Sequence, residues 1–481
     1  MKKFAVLCAA LLLALVVFAG CAPDGDSSGS NVVPNGTTAP TSEGSAETTD
    51  PVLTPIDMEG YVFEVATEFT ELWNQPPGNS PHGDAVMDRI HKIEEDYNCT
   101  IKYVPVSPVD LGSQIKTKAM ASTKSYDLIG VNMWGMGSLL SEKYLEPMNN
   151  LEGLHLNASY WVKAVTDVGT FGGKTYFNMP VFSNPGAGSY VMYFNDDLRQ
   201  ELNLENPWDY VEKGEWTWDK FAEMGMAAAK DLDSDNKITV DDRAGAAVLD
   251  PYGDFAYNAY LATVGKIIEK DGDTVKLSMD SERSVRTYNV LGNMMRVQNF
   301  MSFRTDADQQ KVRNQFQYDN AALFFMDVAG FAKPFGRDSD FDFGVLPLPS
   351  LEVGDKNYCP LNHNTHVFGL PVKNPNLNKA AVIYNALASQ YEGEIAASIG
   401  EFVDNEWIKD ERSFNFYKNL NDYVLVDQAC ILYDQPFETF GAGARGALSG
   451  LAEGTEFISK YETTHSAADT QLKDVWAKIV S

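Results

Sequence analysis

The sequence predicts an α/β fold built on open, mostly parallel sheets flanked by helices. Strands and helices alternate from the start of the folded region, the alternation recurs later with longer insertions, and the composition supplies a large apolar core. Residues 61–66 (YVFEVA) are strand-like, and after a Pro/Gly/Asn-rich loop Val86, Ile90, Ile93 and Tyr97 fall on one helical face. Residues 100–104 read as a second strand and residues 126–131 as a third. Between them, residues 110–122 form a second helical pattern with Leu111, Ile115 and Ala119 aligned. A βαβαβ run of this kind closes into a parallel sheet covered by helices.

The chain has 481 residues, of which 44% are hydrophobic and 12% aromatic, enough beyond residue 55 for two or three domains. A formal net charge of -29 repels phosphate backbones and anionic headgroups, which excludes nucleic acid and the bare membrane surface as partners. Beyond Cys8 and Cys21 near the N-terminus, only Cys99, Cys359 and Cys430 remain, so at most one intramolecular disulfide can form and the fold must rest on its core.

The N-terminus predicts export. Lys2 and Lys3 precede an apolar run over residues 4–18, too short for a permanent membrane span, which ends in Ala19-Gly20-Cys21. A cysteine after two small residues resembles the lipobox of bacterial lipoproteins, with Phe18 in place of the usual Leu. The resemblance implies a signal peptide over residues 1–20 and a lipid on Cys21. Residues 22–55 contain no aromatic, Lys or Arg and cannot bury enough surface to fold. They read as a tether with a reach on the order of 30 Å, holding the folded part beside the outer face of the membrane.

Ligands of open α/β sheets bind beyond the carboxyl ends of the strands. That rule selects Glu68 and Trp73 after the first strand, and Asn132 and Trp134 after the third. An aromatic face beside an amide and a carboxylate suits a sugar, which offers C–H faces for stacking and hydroxyls for hydrogen bonds.

Further strings carry a family resemblance. Residues 126–129 (YDLI), 145–148 (LEPM), 172–176 (GGKTY) with Met179-Pro180, and 193–198 (YFNDDL) come in an order similar to extracellular solute-binding proteins of family 1. The similarity continues through 216–219 (WTWD), 320–326 (NAALFFM), 343–349 (FGVLPLP) and 368–371 (FGLP). It implies a two-lobe fold of periplasmic-binding-protein type II, with a hinge and a ligand between the lobes. It also implies an ABC-transporter permease as partner, a monomeric state, and binding without catalysis. The implied layout is lobe 1 over 57–180, lobe 2 over 181–346, a return to lobe 1 over 347–425, and C-terminal helices of lobe 2 over 426–481. Crossings are expected near Pro180, near Pro347 to Pro349 and after Phe402. On the second lobe the resemblance points to Tyr193, Asp327 and Phe440 as ligand contacts. Trp216 and Trp218, around a helix start marked by Thr217 and Asp219, are expected to pack.

Residues 231–242 (DLDSDNKITVDD) match an EF-hand-like calcium loop. Asp231, Asp233, Asp235, Thr239 and Asp242 stand at positions one, three, five, nine and twelve, with Lys237 offering its backbone carbonyl. Asn236 replaces the turn Gly, which Asn tolerates, and Asp242 replaces the bidentate Glu. No second loop accompanies it, so a structural calcium is expected and no catalytic cofactor.

Residues 441–446 (GAGARG) spell a dinucleotide fingerprint but follow no buried strand. Cys359, His363 and His366 are too few for a closed zinc site and are expected to be satisfied structural residues. Two other classes stay open: a secreted glycosidase, whose two carboxylates could hide among 67 acidic residues, and a surface adhesion module built on the calcium loop.

Overall fold

The computed structural model describes residues 50–249, 254–271, 274–304, 309–391, 393, 408–432, 448, 451 and 457–481. All belong to one compact unit, Thr49–Ser481. The expected lipidation site Cys21, Phe440 and the 441–446 string lie outside the described residues.

Ten strands make the two main sheets: β1 (Tyr61–Thr67), β2 (Cys99–Pro105), β3 (Leu128–Asn132), β4 (Phe177–Asn178), β5 (Tyr190–Asn195), β6 (Ala244–Leu249), β7 (Met301–Arg304), β8 (Ala322–Val328), β9 (Phe343–Leu346) and β10 (His366–Gly369). The first sheet has the order β2-β1-β3-β10-β4 and the second β7-β6-β8-β5-β9. Each holds three parallel strands, then one antiparallel strand, then a short strand that again runs with the first three. The antiparallel member, β10 or β5, is in each case the strand by which the chain enters from the other lobe. The result is the two-lobe periplasmic-binding-protein architecture expected from the sequence.

Local chemistry explains the first lobe. Helix α1 (Pro81–Tyr97) starts where the Ser80 side chain accepts from Gly83 N–H, with Pro81 at the first position. It ends at Asn98 in the left-handed region, and β2 begins at once. Its face of Val86, Ile90 and Ile93 is buried, and Ile93 and Tyr97 share a core with Phe63, Val65, Leu128 and Phe368 of the sheet. Alternate residues Ala66, Ile129 and Val131 face the opposite side, where helix α2 (Pro108–Met120) contributes Leu111 and Ile115 to a core that continues into the second lobe. In that lobe Trp216 and Trp218 are fully buried, and Thr217 caps the helix Trp218–Ala228.

The crossings lie further along than Pro347 to Pro349 suggests. Trp216 donates its indole N–H to the Pro347 carbonyl, and Ser350 N–H bonds Trp216 O, so residues 347–350 are still held in the second lobe. The two passages meet where Ser189 and Leu361 form an antiparallel bridge and Asn362 N–H donates to Gly188 O. A Cβ at Gly188 would fall 2.6 Å from Thr365 Oγ1, which is why glycine fits this approach.

The C-terminal layout also differs from expectation. Helix Glu411–Lys418 packs on β9, so residues before 425 already belong to the second lobe. Helix Phe457–Val480 packs on both lobes. It touches Met133–Ser141 and packs Trp476 at a tilt against Phe171 on the first-lobe side, while Leu277 N–H donates to Asp469 from the second. A long amphipathic helix buries its stripe where apolar surface is open, and both lobes offer it. Cys99, Cys359 and Cys430 are buried and not joined in a disulfide. No helix among the described residues is long and apolar enough to cross a membrane.

Candidate functional site

A cavity of about 320 Å³ lies where β1, the two crossings and the end of β8 converge. Its apolar wall comes from Phe69, Met179 and Phe182, and its polar groups include Asn184, Asn362, Asn364 and His366. Mixed apolar and convergent polar lining of this size is the general character of a small-molecule site.

Phe182 is held from behind. The Arg89 guanidinium sits 3.9 Å from its ring centroid and donates to Leu72 O, and Trp73 packs edge-on against Phe182 and Phe368. Trp73 is buried and therefore stiffens the wall rather than offering a face to a solute.

Glu68 stands at the cavity's edge with its side chain 44% exposed, and its Oε1 lies 3.1 Å from His366 Nε2. The other ring nitrogen of His366 lies 3.4 Å from the buried Thr67 hydroxyl, which accepts from Phe69 N–H. Burial pushes the His366 imidazole down to about 3. Glu68 does not reverse this, because a carboxylate open to water attracts a charge only weakly. The close approach that builds this cluster depends on Gly130 of β3, where a Cβ would meet Phe368 at 2.7 Å and Thr67 Oγ1 at 2.9 Å.

Asn132 pairs with His366 across β3 and β10. It is 6% exposed, and its side-chain oxygen has no hydrogen-bond partner even though it precedes helix α3 (Met133–Ser141). Trp134 donates its indole N–H to Asn364 Oδ1 over 3.2 Å. Asn364 thus links it to the cavity, while Trp134 itself lines a neighbouring depression with Lys116 and Ser138.

On the second lobe the structure corrects one expectation. Tyr193 is fully buried among Phe335, Phe343 and Phe316, and its hydroxyl donates to the carbonyls of Val328 and Ala329. It is a core residue because β5 is an interior strand with every residue buried. Asp327 is 8% exposed and paired with Arg313, whose Nη2 lies 3.1 Å from Oδ2. Burial raises its carboxyl above the usual range against the opposing pull of Arg313. The Arg313 guanidinium in turn lies 4.4 Å from the Phe331 ring centroid.

The acidic loop brings Asp231, Asp233 and Asp235 together, with one oxygen of each within 4.8 Å of the others. Ser234 and Asn236 adopt the left-handed region, which bends the loop around these carboxylates. Asp242 stands apart from them. It is buried, its Oδ1 accepts from Leu232 N–H, and its Oδ2 accepts from the Thr239 N–H and hydroxyl, contacts that hold its carboxyl below the usual range. Its role in this geometry is to close the loop. Asn299 ties the loop to the body through Ile238 N–H and Asn236 O. Lys237 N–H donates to Asp235. Cys359 is a buried thiol raised by desolvation, and His366 is engaged in the cavity, so they do not form a metal cluster with His363.

Two α/β lobes around a lined cleft define a binding protein of the periplasmic type. The chain belongs to the bacterial extracellular solute-binding protein family, whose model matches residues 80–393. It is similar in structure to the cyclic α-maltosyl-1,6-maltose-binding protein of Arthrobacter globiformis, with 12% identity, a TM-score of 0.60, and coverage of 86% of this chain and 100% of that one. The galacto-N-biose/lacto-N-biose I-binding protein of Bifidobacterium longum gives 11% identity, a TM-score of 0.58, and coverage of 87% and 98%. UgpB of Mycobacterium tuberculosis, solved with glycerophosphocholine, gives 13% identity, a TM-score of 0.57, and coverage of 86% and 98%. At these identities the likeness is one of fold. No curated protein matches the chain.

Proposed function

We propose that the protein is a lipid-anchored receptor on the outer face of the cell membrane that captures a small carbohydrate between its lobes and delivers it to an ABC-transporter permease. The observation that carries this reading is the cavity itself: Phe69 and Phe182 give apolar faces, Glu71, Asn362 and Asn364 give hydrogen-bonding groups around them, and Glu68 adjoins through His366. Pyranose rings need both. Asn132, Trp134 and Asp327 are proposed as further solute contacts from the two sheets. Several solved relatives of the fold are named for sugars they bind, in keeping with this substrate class. The protein binds as a monomer, releases its solute unchanged, and closes by rotation about the paired crossings.

The test is a thermal-shift panel of mono-, di- and oligosaccharides and polyols, run beside peptides and chelated metals, with small-angle scattering on any hit. A sugar that raises Tm and reduces the radius of gyration is the expected result. A shift with peptides and none with sugars overturns the substrate class, and release of a cleaved sugar overturns the receptor reading.

The 231–242 loop is proposed to hold one structural calcium through Asp231, Asp233, Asp235 and the Lys237 carbonyl, with Thr239 beside them. The convergence of three carboxylates supports it.

A further inference from the structure

Glu68 and His366 are joined across 298 positions of the chain, since one follows the first strand and the other opens the last strand of the same sheet. The proton arrangement of this cluster follows from donor and acceptor chemistry. Phe69 N–H donates to Thr67 Oγ1, which leaves the threonine its own hydroxyl proton to donate. Among the described contacts the partner left for that proton is His366 Nδ1. With Nδ1 as acceptor, the neutral imidazole carries its proton on Nε2, and that N–H points at a carboxylate, which can only accept. The opposite tautomer would set a ring lone pair against the Glu68 oxygen. Three links therefore run in one direction: Phe69 N–H to Thr67, Thr67 O–H to His366, and His366 N–H to Glu68.

We infer that His366 is a positioning residue, fixed by Thr67 as the neutral tautomer with the proton on Nε2, and that it locks the Glu68 carboxylate at the edge of the cleft with its second oxygen left for a hydrogen-bond donor on the solute. Glu68 needs such a lock, because a half-exposed, long side chain otherwise samples several rotamers and loses that freedom on binding. The Oε2 atom has no protein donor among the described residues. Its free acceptor selects an alcohol or amine N–H at this point and repels a carboxylate or phosphate. The aromatic edge of Phe69 covers the ring of His366, and His366 is 4% exposed, so water does not compete for the Nε2 proton. The groups in contact with or paired to the imidazole are Thr67, Glu68, Phe69 and its cross-strand partner Asn132, of which Glu68 is ionisable, and the ionisable Glu71 and His82 line the same cavity. The buried, neutral character of the ring, with its depressed basicity, accords with the same arrangement.

This inference rests on the receptor reading for its purpose and stands apart from it in its test. Nitrogen NMR of the full chain labelled at histidine, with His366→Asn to assign the signal, reads tautomer and charge directly and needs no solute. The expected result is a single neutral Nε2–H tautomer that does not change from about pH 8 to about pH 5, where an ordinary histidine with a pKa near about 6.5 takes up its proton. A signal that titrates like a free histidine, or a proton on Nδ1, overturns the assignment. In a Thr67→Val/Glu68→Ala double variant the preference should be lost and the two tautomers should mix; a preference that survives both changes shows that other groups set it. Carbon relaxation of the Glu68 carboxyl tests the lock. Motion should rise in His366→Phe and return to the wild-type level in His366→Gln, whose amide N–H can reach the same oxygen. Equal motion in all three proteins overturns the positioning role. Failure to bind any sugar would sink the receptor reading and leave these signals untouched.

Discussion

Ser189 and Leu361 form a two-residue antiparallel bridge where the chain's outward and return passages between the lobes lie side by side. Each passage also carries part of the cavity, through Phe182 and Asn184 on one side and Asn362 and Asn364 on the other. A change in the bridge therefore changes lobe angle and site shape together.

Gly188 tests that coupling. A Cβ there would press on Thr365 Oγ1 at 2.6 Å. Gly188→Ala is expected to cost about 1–2 kcal/mol of stability, the range of mild overpacking. Adding Thr365→Ala should recover most of the loss. Chemical denaturation of the two single variants and the double variant measures this, and additive losses would refute the contact.

Tyr193 and Glu68 should separate cleanly in their effects. Tyr193→Phe removes a hydroxyl that serves two buried carbonyls, and should lower stability by about 1 kcal/mol while leaving solute affinity unchanged. Glu68→Ala should do the reverse, weakening affinity about 10- to 100-fold, as for the loss of one hydrogen bond to a charged group. Calorimetry with the best sugar of the thermal-shift panel, paired with melting curves, reads both.

His366 sets a limb of the acid stability. Its folded pKa is held down to about 3 by burial, against about 6.5 when unfolded. Between these values the unfolded chain takes up a proton that the folded chain refuses. Stability therefore rises with pH through this window and is lost as pH falls below about 6.5, by about 1.4 kcal/mol per pH unit. His366→Gln removes that slope, so wild-type and variant denaturation curves should diverge between about pH 6.5 and about pH 4. Parallel curves would contradict the neutral buried ring.

Calcium should act on stability and not on the cleft. A chelator is expected to lower Tm, and Asp233→Asn should abolish the response to added calcium. Sugar affinity should stay within about twofold, because the loop's backbone is tied to Asn299 and the loop shares no residue with the cavity. An unchanged Tm on chelation means that the loop holds no calcium.

The first βαβαβ segment was legible because its signals are local: Ser80 with Pro81, the Val86, Ile90, Ile93 and Tyr97 stripe, and an apolar third strand all act within a few residues. The strand-end rule then led to Glu68, Asn132 and Trp134; Glu68 and Trp134 each bond a residue of the cavity lining, His366 and Asn364, and Asn132 pairs with His366 across the sheet. What local pattern could not supply is β10. His366 meets Asn132 and Glu68 only after the chain has built the other lobe, and a histidine in a short mixed segment carries no signal of that meeting. Tyr193 misled for a related reason. A strand with sheet neighbours on both sides and helices above and below reads as a run of apolar residues, so its tyrosine looks no different from one at a strand mouth. Asp242 has the right place in the loop's spacing, but spacing says nothing about which lone pairs backbone N–H groups already occupy.

The reciprocal exchange of strands fixes the timetable of assembly. A polypeptide emerging from a ribosome or a translocation pore delivers β1 to β3 early, yet the neighbour that seals β3 arrives only at His366–Gly369, after every strand of the other half has appeared. The early portion must wait with one flank unsealed, and β4, which has no sheet neighbour but β10, waits with it. Maturation is thus deferred until most of the polymer has cleared the exit, which suits the exported receptor proposed above.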